Sequence, residues 1–142
     1  MKLKNHITVS LIFSAFLFAI SKSWTIFTSS LISGVLIDID HILDYSREHG
    51  IDLRIKQFYE RFDRKEVTRV WLILHSWELL FLMSICAFLM SWNPWVVGMI
   101  IGLTQHIVLD QISNKINKWA YFFFWRLRND FSIKKICPDW LV

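Results

Sequence analysis

The chain has 142 residues, of which 54% are apolar or aromatic and only 20% charged. This excludes a disordered segment, and two cysteines, Cys86 and Cys137, are too few for a disulfide scaffold. A soluble domain this short cannot hide so much apolar surface, and a formal charge of +4 suits the cytoplasmic ends of membrane helices better than a nucleic-acid site.

Four apolar stretches follow in order, within one integral membrane domain covering residues 1–142. They are expected as helices over 3–20, 24–40, 70–90 and 94–112. A bilayer core needs about 20 apolar residues per helix. The third and fourth stretches meet this length, the first nearly does, and the second is short unless it continues into Asp38-Ile39-Asp40-His41. Lys2, Lys4, an apolar run and Ala19-x-Ser21 also fit a cleaved signal peptide. The next stretch begins right after Ser21-Lys22-Ser23, which favours a tight helical hairpin. Over 51–67, Ile55, Phe58, Tyr59 and Phe62 recur at helical spacing among charges, as in an amphipathic interfacial helix. The aromatic run within 116–128 suits the headgroup boundary. The fold expected is therefore all-α: a polytopic four-transmembrane-helix bundle with two interfacial segments.

Basic residues orient it. Two precede the first stretch, seven separate the second from the third, and six follow the fourth. With four spans and both termini inside, 15 of the 16 Lys and Arg residues are cytoplasmic, as the positive-inside rule requires.

Ionisable residues inside apolar spans are costly and usually functional. His6 opens the first stretch. Asp38, Asp40 and His41 close the second, followed by Asp44. His75 and Glu78 lie in the third, and His106 and Asp110 near the end of the fourth. His75 and Glu78 are spaced i,i+3, and His106 and Asp110 i,i+4, so each pair shares a helix face. With the orientation above, all four groups fall at the cytoplasmic face, in one shallow layer. Helix bundles build metal sites from such inward His and carboxylate pairs. His6, Asp38, Asp40, His41, His75, His106 and Asp110 are the candidate ligands. His and carboxylate without Cys suits zinc, with manganese or iron as alternatives, as one or two ions.

The order of these motifs resembles the membrane-bound metal-dependent hydrolase family, the YdjM-like proteins. The shared features are a His before the first helix, Asp-x-Asp-His after the second, His-Ser in the third and His-x-x-x-Asp in the fourth. Ile37 stands where many of those proteins have Pro, and Val70-Trp71-Leu72 where they have His-Arg-Gly, so the chain looks like a divergent branch. The resemblance implies a hydrolase of the inner membrane. Glu78 or Asp44 is then expected as the general base or as a partner that orients a ligand histidine, with Glu78 also an alternative ligand. Arg47, Arg69 and Lys115 are expected to hold a phosphate, and a phospholipid or other amphiphilic phosphate or ester to be the substrate. The other readings are a metal-stabilised membrane scaffold or assembly factor, and a small ion transporter. Against a transporter, the outer halves of the helices hold only Ser, Thr and apolar residues. No HExxH motif is present, and no basic-aromatic domain for nucleic acid lies outside the membrane.

Overall fold

A computed structural model describes residues 3–50, 68–114 and 116–137. The described residues are helical apart from turns, one irregular strap and an isolated bridge between Arg69 and Ser132. Three helical runs are long and apolar enough to cross a membrane: Lys4–Ser21, Trp24–Glu48 and Pro94–Ser113. The interfacial helix expected over 51–67 lies outside the described residues.

Helix α1 (Leu3–Ser21) and helix α2 (Trp24–Leu36) form the hairpin that the short Ser-Lys-Ser connection implies. Lys22 adopts a left-handed φ of 54°, which stops α1. Ser23 then caps α2 by accepting from the Ile26 amide at 3.4 Å. Helix α3 (Ile39–His49) continues α2 after a tightened turn. There Asp40 N–H donates to Ile37 O (3.2 Å) and His41 N–H to Asp38 O (3.1 Å), both i→i+3 bonds. The second apolar stretch is therefore not short. It runs for 25 residues, with Asp38, Asp40 and His41 inside it.

The third stretch departs from expectation. Residues 70–76 are not helical, and helix α4 is only Trp77–Leu89, 13 residues. At 1.5 Å per residue it is about 20 Å long, less than the roughly 30 Å hydrocarbon core. An apolar run alone cannot distinguish a helix from a buried irregular chain. Val70 is buried here by packing with Tyr45, Ala120, Ile136 and Cys137 rather than in a helix. Helix α5 (Pro94–Ser113) starts with Asn93 accepting from the Trp95 amide (2.9 Å) and Pro94 in the first turn.

The C-terminal part is less peripheral than its aromatic content suggests. Trp119 and Phe124 are exposed, but Ala120, Tyr121 and Arg126 are buried. Short helices α6 (Phe123–Arg128) and α7 (Ile133–Ile136) close over the strap, and Trp71 stacks on Phe131 at 4.2 Å.

The closest packing is between α2 and α5. Gly98 and Gly102, one turn apart, face Ser29, Ser30 and Ser33 of α2. Small residues let two backbones approach where lipid supplies no hydrophobic drive between helices. The serines bond within the bundle: Ser33 Oγ donates to Met99 O (3.1 Å) and Ser30 Oγ to Ser14 Oγ (2.9 Å). Large side chains such as Phe16, Ile20, Phe81, Phe88 and Ile112 point outward.

Candidate metal centre

Hairpin arithmetic sets the level of the site. His6 lies 16 residues before Lys22 and Asp38 16 residues after it, so an antiparallel pair brings both to one height. The α4–α5 hairpin brings His106 and Asp110 level with the start of α4, where Trp77 Nε1 donates to Gln111 Oε1 (3.2 Å), just after the strap that carries His75. Two groups result, His6, His106 and Asp110 in one, and Asp38, His41 and His75 in the other. Each can hold a metal ion.

The groups abut. His106 Nε2 is 3.4 Å from Asp38 Oδ1 and 3.6 Å from Asp110 Oδ2. His75 Nε2 is 3.6 Å from Asp38 Oδ1 and 4.0 Å from Asp110 Oδ2. His41 Nε2 is 3.8 Å from Asp38 Oδ1, and His6 Nε2 3.1 Å from Asp110 Oδ1. His6 and His106 stack in parallel at 4.0 Å. Ligands about 2.0–2.2 Å from a tetrahedral ion stand about 3.3–3.6 Å from one another. Several of these separations fall in that interval.

The other ring nitrogens fix the tautomers. His106 Nδ1 is 2.8 Å from Gly34 O, and a carbonyl only accepts, so Nδ1 carries the proton. His75 Nδ1 faces Asp40 Oδ2 at 3.4 Å, which places its proton there too. Both Nε2 lone pairs then face the carboxylates of Asp38 and Asp110. Lone pair against anion is repulsive unless a metal ion or a proton sits between. Among the described residues, His75 Nε2 and His106 Nε2 are buried without a hydrogen-bond partner, as is His6 Nδ1. Buried polar atoms are rarely left so, because desolvation is then uncompensated. The donor set and these orphaned nitrogens fit a divalent ion.

Six of the expected ligands thus converge: His6, Asp38, His41, His75, His106 and Asp110. Asp40 stands behind them. Its Oδ2 accepts from the Leu74 amide and holds His75 Nδ1, the carboxylate–histidine pairing that orients metal ligands. Asp40→Asn is expected to weaken zinc binding about 10- to 100-fold while leaving the helical circular dichroism unchanged, measured by chelator competition. Unchanged affinity would refute this role.

Asp44 and Glu78, the expected general bases, are engaged elsewhere. Asp44 Oδ2 accepts from the amides of Trp71 (2.7 Å) and Leu72 (3.0 Å). Glu78 accepts from Phe123 (2.8 Å) and Phe124 (3.1 Å), at the start of α6. Of the basic residues, Arg47 lies over the Trp71 ring at 4.6 Å, Arg69 N–H donates to Glu48, and Lys115 is outside the described residues. Two buried groups close to the site carried no expectation. Tyr121 has its hydroxyl raised above the ordinary range by burial and then by Asp110. Arg126 is the other, and an Arg inside Phe-Phe-Phe-Trp-Arg-Leu was the available signal.

The centre is closed on most sides. His75 and His106 are fully buried, whereas the Asp38 and His41 side chains are 18% and 23% exposed. Leu36, Ile39, Ile42 and Leu43 of the same helical run are exposed. No family model, curated protein or solved structure matches this chain.

Proposed function

We propose that the chain is a metal-dependent hydrolase of the bacterial inner membrane, akin to the YdjM-like family, acting on an amphiphilic phosphate or ester at the cytoplasmic face. The observation that carries the reading is the pinning of two buried imidazoles, His75 and His106, with both Nε2 lone pairs aimed at Asp38 and Asp110. In this reading α4 is a fourth, short span in locally thinned bilayer, and both termini are cytoplasmic. His6, His106 and Asp110 would hold one ion, and Asp38, His41 and His75 a second.

A zinc-type ion supplies Lewis-acid polarisation of a phosphoryl or ester oxygen and activates water at neutral pH. The chain's residues do the rest. Asp40 keeps the proton on His75 Nδ1, and Gly34 O keeps the one on His106 Nδ1. Asp38 and His41 lie at the open side, where a substrate would reach the ligand groups. The exposed Leu36, Ile39, Ile42 and Leu43 put the helical run that carries Asp38 and His41 against lipid, which suits a substrate with an acyl or prenyl chain.

Full-length protein purified in detergent should retain one or two zinc-class ions per chain by elemental analysis. It should also cleave a component of a bacterial lipid extract in a chelator-sensitive way. Metal without turnover supports the scaffold reading, which the near-complete burial of His6, His75 and His106 favours. No binding of zinc, manganese or iron overturns both.

A further inference from the structure

The strap over residues 68–76 is irregular, with one turn bond from His75 N–H to Leu72 O (3.1 Å), yet it delivers His75 to the centre. It is gripped from two sides. On the α3 side, Asp44 and Asp40 take the amide hydrogens of Trp71, Leu72 and Leu74. On the other side is Arg126. Its Nη2 donates to Leu72 O (2.7 Å), and its Nη1 to His75 O (3.0 Å) and Ala120 O (2.5 Å). Carboxylates thus hold the N–H groups and a guanidinium holds the carbonyls, with Leu72 fixed both ways.

Arg126 is an unusual residue for such a task. It is fully buried. It makes no ion pair with a carboxylate among the described residues, and its Nε has no hydrogen-bond partner among them. Burying a cation is expensive without good compensation. Burial lowers its pKa to about 10, opposed by Glu78, Asp40 and Asp44, so it stays charged at neutral pH. The planar fork of Arg suits three carbonyls from separate parts of the chain, which an ammonium cannot match. Glu78 in turn anchors the helix bearing Arg126, through the Phe123 and Phe124 amides.

We propose that Arg126 is a positioning residue for the metal centre, holding Leu72 O and His75 O so that His75 Nε2 meets Asp38 and Asp110. This rests on the metal reading above. It makes the C-terminal segment part of the site although none of its described residues belongs to the converging ligand groups.

The test uses the full-length chain in detergent, loaded with cobalt(II), whose visible bands report ligand identity. Arg126→Met should keep its helical circular dichroism and monodisperse elution. It should bind cobalt about 10- to 100-fold more weakly, with shifted bands. Arg126→Lys should fall between the two. The double variant Arg126→Met/His75→Ala should bind no more weakly than His75→Ala alone, because both changes act through one imidazole. Unchanged bands and affinity in Arg126→Met, or additive losses in the double variant, would overturn the proposal. If Arg126→Met does not fold, Arg126→Lys decides, and unaltered bands and affinity there overturn it. Failure of the unsubstituted chain to bind cobalt defeats the metal reading itself and this inference with it. Normal binding there with an indifferent Arg126 defeats this inference alone.

Discussion

Zinc binding by the detergent-purified chain is expected to fall by more than about 100-fold when His106 is replaced by alanine. His106 is the ring on which the two ligand groups join. It stacks on His6, and its Nε2 faces both Asp38 and Asp110. Removing it strips one group of a ligand and leaves two carboxylates near each other without an imidazole between them. The effect should also appear as stability. An ion that binds only the folded chain at 1,000 times its Kd stabilises it by about 4 kcal/mol. Added zinc should therefore raise the unfolding temperature of the natural chain and raise that of His106→Ala much less. A similar zinc-dependent rise in both would remove His106 from the centre.

The second large effect concerns packing. Gly102→Ala is expected to destabilise the bundle by about 3 kcal/mol or more, because a Cβ there would lie 2.2 Å from the backbone oxygen of Ser30. Backbone cannot rotate away, so α2 and α5 must separate. Gly34→Ala should be much milder. Its added carbon would meet Ser10 Oγ at 2.9 Å, and that hydroxyl can turn aside. Thermal aggregation followed by size exclusion in detergent separates the two, and equal tolerance of both would refute the close approach. Because α2 leads into Asp38 and α5 carries His106, Gly102→Ala should lower metal occupancy as well.

Much of the site was readable before any coordinates. Ionisable residues within apolar runs stand out, and hairpins convert equal distances from a turn into equal depth. The sequence also misleads in identifiable ways. Asp38, Asp40 and His41 lower the local hydropathy, so the second helix looks finished where it only tightens. Val70-Trp71-Leu72-Ile73-Leu74 is as apolar as a helix, and only the covering C-terminal segment shows that it is an irregular strap. The sequence separates Asp44 and Glu78 from the ligand candidates Asp38 and Asp110, but it gives no sign that their partners are the peptide amides of Trp71, Leu72, Phe123 and Phe124. Arg126 was hidden for a related reason. Its partners are backbone carbonyls, which no side-chain pattern records.

Glu48 accepts from the Thr68 amide and hydroxyl and from the Arg69 amide, each at 2.8 Å. The chain that leaves α3 therefore returns to within one side chain of its departure point. Closing a longer excursion between fixed endpoints adds only slowly to the entropic cost, about 0.6 kcal/mol per doubling of length. The bundle thus places little demand on how many residues connect these two fixed points.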